Sequence, residues 1–482
     1  MGANTNNNID KTKEIWEYDE KIKTRDLVVN TLIQKSAFST HELLQEFYQA
    51  AVDDSTEAGL NKVEAIVLSG GYTNYSYKIF IPDQPHLCLF AKLTFERAVW
   101  NPDKDARYDL QRTINEYELM ETFSKIKPDS VVSPLALWDV EHDGQKMKLL
   151  VTVWSRADEQ FSNQFIDGSI DPRAAPKLAN ILSALHSIKD YDHRFNEQVR
   201  TYMDPAFQNL RSSIEEACMK KEPQNRTEKY CTKMGTDLLR NILDANRNDF
   251  KDEVVLCHSD SHMFNILVEA KPDDNDLDLF APDGSVVLCD WEMAMPGPHG
   301  RDCGLVLCWP LACMVAHALE NTESNANIQI RHFIETFLKC YLSEMSSGRT
   351  PREMAHIYRQ CFGWAGNFMV AVFYLCDGFI GELPGAQNKK TRDYIRDTMG
   401  LLGLKLMRVC YDMEYVPKDT SLSQLTSIIN ALIDEEITQA YAQSNPKRSV
   451  QPRKSSLLRK SNRRVSDASI MNDSIINSLA TL

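Results

Sequence analysis

The 482-residue chain lacks several features that would assign a protein to a class at once. Its twelve cysteines form no C-x-x-C pair, which argues against a zinc site of cysteines and favours reduced thiols. The opening residues, MGANTNNNID, have neither a basic start nor an apolar stretch, and Asn6 stands where myristoylation requires Ser or Thr. We therefore expect no secretory signal and a cytoplasmic location.

Long hydrophobic runs are also scarce. The longest charge-free apolar run, Cys303 to Leu319, contains Pro310 and His317 and is at the short limit for a bilayer span. We predict that it forms a buried helix and that the chain has no transmembrane segment. With 43% apolar and 25% charged residues, the composition is that of an ordinary globular protein of two or three folded units.

Net positive charge is confined to the C-terminus. The net charge is −14, and residues 445–482 carry eight Lys and Arg against Asp467 and Asp473, so residues 1–444 carry −20. A body this acidic is a poor candidate for nucleic-acid binding. The C-terminal residues lack apolar periodicity, which predicts a disordered basic tail.

Apolar periodicity separates the rest of the chain into β-rich and helix-rich parts. Alternating residues predict strands around Gly70-Gly71 and a strand pair joined at Asp143-Gly144. Spacings of three and four residues predict helices before and after this section, with one inserted β-hairpin over 254–290. The predicted fold class is α+β, in four segments: a helical extension 1–60, a β-rich part 61–153, a mainly helical part 154–444 and the tail 445–482.

Two features of the β-rich part are typical of phosphate binding. Glycines at a strand-to-strand turn, such as Gly70 and Gly71, let backbone N–H groups approach phosphate oxygens, although such turns are usually only turns. Lys92 is centred in the apolar strand LFAKLTF, and Glu116 follows on a predicted helix. A strand lysine held by a helix glutamate grips nucleotide phosphates in protein kinases. Glu118 is the competing partner.

The stretch VVLCHSDSHMFNILVE permits two interpretations. His258, Asp260 and His262 could form a nest of metal ligands, as in a metal-dependent hydrolase. Alternatively, Asp260 and Asn265 have the five-residue spacing of a phosphoryl-transfer loop, in which Asp accepts the hydroxyl proton and Asn binds Mg²⁺. No second His pair at ligand spacing accompanies them, and the hydrolase would leave Lys92 unexplained.

A second apolar strand, VVLC, ends at Asp290, whose carboxylate is the kind of ligand that Mg²⁺ prefers. The glycine turn, Lys92, Glu116, Asp260 with Asn265, and Asp290 occur in the order that a two-lobed kinase requires. This order favours the phosphoryl-transfer interpretation. It also argues against a pseudokinase or scaffold that acts through its tail, because a dead enzyme need keep none of these residues.

The set resembles the aminoglycoside phosphotransferase and choline/ethanolamine kinase superfamily, over roughly residues 60–415. HSDSHMFNIL is similar to the family's H-x-D-x-x-x-x-N motif, and CDWE is similar to its D-x-E motif. The resemblance implies a bilobal protein-kinase-like fold with a nucleotide-binding N-lobe over 61–153 and a catalytic, substrate-binding C-lobe over 154–444. It also implies ATP and Mg²⁺ as cofactors and a small-molecule alcohol as the phosphate acceptor.

Roles carried over by position follow the two motifs. Asp260 would be the catalytic base, His258 would brace its loop, and Asp302 would hold the loop's backbone. Asn265, Asp290 and Glu292 would be metal or near-metal residues. The cofactor-binding residues would be Gly70, Gly71, Lys92 and Glu116, and WSRAD after Val153 would be the hinge to adenine.

The acceptor has two candidate types. GPHGRDCG and the second His of HSDSH are similar to methylthioribose kinases, but Trp291 and Asn265 depart from the pattern of that branch. SGGYTNYSYKI, FNIL and DWE look more like choline and ethanolamine kinases, where aromatic side chains surround a quaternary ammonium. Trp309, Trp364 and Tyr374 are candidate walls. We therefore expect choline or ethanolamine, with a methylthioribose-like sugar as the alternative.

The basic tail suggests regulation. NRRVSDAS places two arginines just before Ser466, the arrangement that a basophilic protein kinase recognises. Phosphate there would add about −1.5 to −2 charge, which would weaken any association of the tail with an anionic membrane surface. A tail without function is an equally good reading, because R-R-x-S arises easily by chance.

Overall fold

The structure is a computed structural model, and its description covers the following residues: 24–52, 63–68, 74–96, 109–155, 157, 159–189, 211–217, 220–251, 254–269, 285–320 and 325–444. The predicted glycine turn at Gly70-Gly71 and the predicted tail, including Ser466, lie outside these ranges. The chain divides into two compact units. Unit 1 contains Met1–Arg156 and Cys289–Met293, and unit 2 contains Ala157–Leu288 and Ala294–Leu482.

Unit 1 is built on a five-stranded antiparallel sheet with strand order β1-β2-β3-β5-β4. The inward side chains of its strands alternate along β2 and β3 and form an apolar core with residues of the first two helices. Its elements are α1 (24–36), α2 (Glu42–Val52), β1 (Glu64–Val67), β2 (Asn74–Ile81), β3 (Gln84–Phe95), α3 (Gln111–Ile126), β4 (Pro134–His142) and β5 (Gln145–Val153).

The turn between β4 and β5 confirms the predicted strand junction. Asp143 and Gly144 have φ angles of 52° and 73°, both in the left-handed region. Two-residue hairpin turns favour such angles because their twist matches that of the strands, and Asp-Gly adopts them readily. The strands pair in register up to His142 and Gln145.

Unit 2 is mainly helical, with one short strand near its start and four more between α8 and α9. Its elements are β6 (Glu159–Gln160), α4 (Phe161–Asp167), α5 (Ala174–His186), α6 (211–217), α7 (Arg226–Met234), α8 (Thr236–Lys251), β7 (Val255–Cys257), β8 (Ile266–Val268), β9 (Val286–Leu288), β10 (Met295–Gly297), α9 (Gly300–Leu319), α10 (Ala326–Met345), α11 (Pro351–Phe368), α12 (Lys389–Tyr411) and α13 (Leu422–Ser444). The predicted α+β class, with a β-rich N-terminal part and a helical C-terminal part, is confirmed.

The strands of unit 2 form two small sheets. β8 and β9 pair antiparallel, which confirms the hairpin predicted between the two apolar runs. β7 does not join them. It pairs instead with β10, a short strand that periodicity did not predict because it has only three residues.

Helix α9 is the buried helix predicted from the longest apolar run. It continues through Pro310, and 94% of its most apolar window is buried inside the protein. Its length and composition alone would suit a membrane span, but this burial is what the core helix of a globular domain shows.

Two glycines let α9 lie close to α11. A Cβ on Gly300 would come within 2.2 Å of the backbone of Gln360, and one on Gly304 would come within 2.5 Å of Trp364 Cβ. Because the two glycines are four residues apart, they lie on the same face of α9. This contact fixes the first turn of α9, which carries Asp302.

We predict that Gly304→Ala destabilises the protein by about 1–3 kcal/mol, because a methyl group cannot enter this contact without moving a helix. Urea unfolding monitored by circular dichroism measures the change. Gly381→Ala is the matched control, since a Cβ there meets no atom within 4 Å. Equal stability of the two variants would contradict the close-contact explanation.

Candidate active site

Lys92 lies at the centre of a buried ion cluster in unit 1. Its Nζ donates to Asp290 Oδ1 at 2.5 Å and to Glu116 Oε2 at 2.9 Å, and it lies 3.1 Å from Glu292 Oε2. Lys92 is only 4% exposed. Strand β3 directs the lysine to the sheet face opposite the apolar core, towards α3, and the chain segment Cys289–Met293 brings two of the three carboxylates to it.

The partner of Lys92 on helix α3 is Glu116, the residue predicted first. Glu118, the competing candidate, is exposed. Residues two apart on a helix point about 200° away from each other, so only one of them can face the sheet. Glu116 Oε1 also accepts the backbone N–H of Trp291, which ties α3 to the segment that carries Asp290.

Glu292 is held by groups that sequence reasoning missed. Its Oε2 accepts a hydrogen bond from Asn74 Nδ2 at 2.9 Å and lies 3.6 Å from Arg112 Nε. Arg112 in turn donates to Asn74 Oδ1 at 3.1 Å. The one available signal was that Arg112 lies four residues before Glu116, on the same face of α3. Asn74 begins β2 and gave no signal.

The charges of this cluster shift its pKa values in opposite directions. Burial alone would lower the pKa of Lys92, but Asp290, Glu116 and Glu292 outweigh burial and raise it well above its ordinary value. Burial is the main cause that raises the pKa of Glu116 to about 7. For Glu292, burial is outweighed by Lys92 and Arg112, which lower its pKa to about 2.

Asp290 is the member of the cluster that solvent reaches. Its side chain is 36% exposed, compared with 3% for Glu116 and 7% for Glu292. Its φ angle is 62°, a left-handed conformation that is uncommon outside glycine. Such conformations concentrate at functional sites, where surrounding contacts maintain them. Asp290 is therefore the cluster's best placed ligand for an incoming cation.

In unit 2, the Asp260 loop is organised by a buried carboxylate. Asp302 Oδ2 accepts the backbone N–H of His258 at 2.7 Å, and its Oδ1 accepts that of Ser259 at 2.8 Å. Ser261 Oγ donates to the Asp302 backbone carbonyl at 3.1 Å. Burial would raise the pKa of Asp302, but hydrogen bonds from His186 and this loop hold it below its ordinary value.

Asp260 and Asn265 are in direct contact at the exposed end of this loop. Asn265 Nδ2 donates to Asp260 Oδ2 at 2.9 Å and to its carbonyl oxygen at 3.0 Å. The amide oxygen of Asn265 is thereby left to accept a cation or a donor. His262 Nε2 lies 3.4 Å from Asp260 Oδ1, and the Asp260 side chain is 33% exposed.

Aromatic rings lie beside this loop. Phe264 and Phe379 stack with centroids 4.5 Å apart, and Trp309 meets Phe264 edge-on at 4.7 Å. His262 lies 5.7 Å from Phe379. Phe379 has a φ of 58°, which is rare for so large a side chain. Phe264, Phe379 and His262 are half-buried, so part of each ring is accessible to solvent, and His262 links this group to Asp260.

The other two aromatic candidates lie elsewhere. Trp364 is fully buried and its Nε1 donates to Asp249, so it has no face for a ligand. Tyr374 lines a cavity of about 520 Å³ together with Arg396 and Glu228. Three aromatic residues were predicted to surround the ammonium group of the acceptor. Of these, only Trp309 belongs to the aromatic group near the Asp260 loop. Sequence reasoning missed Phe264 and Phe379, since apolar residues in loops carry no periodic signal.

A family model described as choline/ethanolamine kinase matches residues 163–383. The match agrees with the resemblance predicted from the motifs. The matched segment includes Asp260, Asn265, Asp290 and Asp302. It does not reach Lys92.

Two solved structures resemble the chain over most of its length. The ethanolamine kinase of Plasmodium vivax is 13% identical, with a TM-score of 0.35, and the alignment covers 82% of this chain and 90% of that one. The choline kinase of Cryptosporidium parvum is 12% identical, with a TM-score of 0.39, and the alignment covers 80% and 93%. No curated protein sequence matches the chain.

We predict that Glu292→Gln lowers the free energy of unfolding at pH 7 by about 1–3 kcal/mol, because it removes a buried carboxylate from Lys92 and Arg112. The folded-state pKa of Glu292 is depressed from 4.5 to about 2. Its contribution is therefore complete above pH 4.5 and is lost as the pH falls towards 2. Urea unfolding across this range measures the difference from the wild type.

The matched control is Glu118→Gln on the exposed face of α3, which we expect to leave stability unchanged at every pH. A Glu292→Gln deficit that stayed constant down to the lowest pH would contradict the depressed pKa. So would a deficit of equal size in the control.

Proposed function

We propose that the protein transfers the γ-phosphate of ATP to the hydroxyl group of choline or ethanolamine. The observation that carries the proposal is the half-exposed Asp260 carboxylate beside Phe264, Phe379 and His262. A carboxylate beside aromatic faces suits an acceptor that has a hydroxyl at one end and an ammonium at the other. The acidic charge of residues 1–444 also favours a cationic acceptor over an anionic one.

Asp260 orients the acceptor hydroxyl and takes its proton. The hydroxyl oxygen forms a bond to the γ-phosphorus while the bond between that phosphorus and the oxygen of the ADP leaving group breaks. Asn265 keeps the Asp260 side chain in place through the bond from its Nδ2. Asp302 holds the loop through the backbone N–H groups of His258 and Ser259.

In unit 1, Lys92 binds the phosphates of ATP in this proposal, and Glu116 is its ion-pair partner. The salt bridge between them is the support for this assignment, as is the charge on Lys92, which the raised pKa maintains. Glu292, whose Oε2 accepts from Asn74, acts on Lys92 and Arg112 in this proposal. These contacts support a positioning role for Glu292.

The residues present fit Mg²⁺ as the second cofactor. Asp290 offers a half-exposed carboxylate, and hard cations prefer such oxygen ligands. When bound, Mg²⁺ neutralises phosphate charge. The part played by this chain is to hold Asp290 in its left-handed conformation between Cys289 and Trp291, with its carboxylate against Lys92.

We predict that Asp260→Asn lowers kcat by about 100-fold or more while the affinity for ATP stays nearly unchanged, because the variant loses only the proton acceptor. Steady-state kinetics and nucleotide titration measure the two quantities. Asp419→Asn, in an exposed loop of the same unit, is the control. Turnover near the wild-type value in Asp260→Asn would refute the assigned role.

The second prediction concerns the ammonium group. Phe379→Ala should raise KM for choline about tenfold, because a cation–π contact in a partly desolvated site contributes about 1–2 kcal/mol. The neutral isostere of choline, with carbon in place of nitrogen, should lose much less. Phe38→Ala, at a ring that is 89% exposed, is the control. Equal losses with both acceptors would show that Phe379 provides only shape.

A panel of alcohols separates the candidate acceptors. ATP consumption is followed with choline, ethanolamine, methylthioribose and an aminoglycoside, each at the same concentration and with Mg²⁺. The proposal requires choline or ethanolamine to give the highest kcat/KM. A higher value for the sugar would establish the methylthioribose alternative. No consumption with any alcohol would favour a scaffold.

A further inference from the structure

A buried pair of side chains in unit 2 supports Asp302 in addition to its contacts with the loop. His186, the last residue of α5, lies with its Nε2 3.1 Å from Asp302 Oδ2. Its Nδ1 lies 2.6 Å from the hydroxyl oxygen of Tyr341 on α10. The exposed fraction is 4% for His186 and zero for Tyr341 and Asp302. No ligand can reach these groups, so their role must be exerted through the residues that they touch.

The contacts of His186 indicate which of its ring nitrogens carries the hydrogen. Asp302 is ionised, as its lowered pKa indicates, so its Oδ2 can only accept, and His186 Nε2 must carry a hydrogen. Burial raises the pKa of Tyr341 well above its ordinary value, so its hydroxyl stays protonated. That hydroxyl can donate to His186 Nδ1 or, at 3.3 Å, to the carbonyl oxygen of His299. With the ring hydrogen on Nε2, a neutral imidazole can only accept at Nδ1, so we assign the 2.6 Å contact to donation by the Tyr341 hydroxyl.

From this chain of contacts we infer that Tyr341 and His186 are positioning residues for the Asp260 loop, and that they fix the Asp302 carboxylate at the angle that holds the loop's backbone. Tyr341 donates to His186, His186 donates to Asp302, and Asp302 accepts from His258 and Ser259. Three helices, α5, α9 and α10, each supply one member. The inference rests on the proposed function, since it concerns the loop assigned to phosphoryl transfer.

The hydrogen bonds that link Tyr341, His186 and Asp302 matter because Ser259 has a left-handed backbone conformation. Its φ is 68°, and the two N–H groups that Asp302 receives belong to Ser259 and the residue before it. Such a conformation persists only when its surroundings maintain it. If the His186 ring carried its hydrogen on Nδ1 instead, a lone pair would face the carboxylate, and Asp302 would turn away from one of the N–H groups.

The same group of atoms has an alternative reading as a metal site. A nitrogen of His186, the Sγ of Cys257 and an oxygen of Asp302 lie within 4.8 Å of one another. Each is already engaged: Cys257 Sγ donates to the carbonyl oxygen of Pro298 at 3.4 Å, and the other two are paired. Burial also raises the pKa of Cys257 well above its ordinary value, which keeps the thiol protonated.

The test compares Tyr341→Phe with Tyr358→Phe. Both tyrosines are buried in unit 2, and the Tyr358 hydroxyl is bonded to Thr426, away from Asp302. Tyr341→Phe should lower kcat for acceptor phosphorylation about tenfold or more and change KM for ATP less than about threefold. Tyr358→Phe should keep kcat within about twofold. Equal effects of the two variants on kcat would overturn the inference.

Rescue at position 186 separates positioning from packing. His186→Leu keeps bulk but removes the donor to Asp302, and it should lower kcat at least as much as Tyr341→Phe. His186→Gln places an amide N–H near the former Nε2 and should recover most of that loss. If Gln and Leu gave the same kcat, the hydrogen bond to Asp302 would not be the cause.

Amide hydrogen exchange tests whether Tyr341 and His186 hold the Asp260 loop in place, without any assay of activity. The backbone amides of His258 and Ser259 should exchange faster in Tyr341→Phe and His186→Leu than in the wild type, and should be unchanged in Tyr358→Phe. Unchanged exchange in the first two variants would refute the inference even if the enzyme is a kinase. If exchange changes but no alcohol is phosphorylated by the wild type, the proposed function fails while the inference stands.

Discussion

The buried carboxylate of Asp302 is the constraint on which the arrangement of unit 2 depends. A charge without solvent must be paired or hydrogen-bonded, and Asp302 meets this need with two backbone N–H groups and His186. Those partners fix the Asp260 loop. The close packing of α9 on α11 at Gly300 and Gly304 supplies the rigid base from which the carboxylate acts.

Unit 1 applies the same physical rule to a lysine. Lys92 is buried between β3 and α3, on the sheet face opposite the apolar core, and three carboxylates compensate its charge. Three carboxylates around one ammonium leave excess negative charge, which Arg112 relieves at Glu292, and burial raises the pKa of Glu116 to about 7. The cluster is therefore poised to accept a cation at Asp290, its exposed member.

The features of the fold that depend on local residue spacing could be predicted from the sequence. The strand pair at Asp143-Gly144, the helix carrying Glu116 and the buried helix at Cys303–Leu319 follow from turn chemistry and periodicity. Arg112 with Asn74, and His186 with Tyr341, could not be predicted in this way. Each pair joins residues that are distant in the chain. Periodicity shows which face of an element is buried, but it does not show which distant residue a polar side chain will meet there.

In the proposed function, the chain moves a phosphoryl group from ATP to an alcohol rather than to water. Phosphorus NMR of the protein with ATP, Mg²⁺ and choline or ethanolamine tests this directly. We expect the γ-phosphorus signal to be replaced by that of a phosphomonoester of the alcohol, in equal amount to the ADP formed. Inorganic phosphate as the only product, or ATP that persists unchanged with both alcohols, would contradict it.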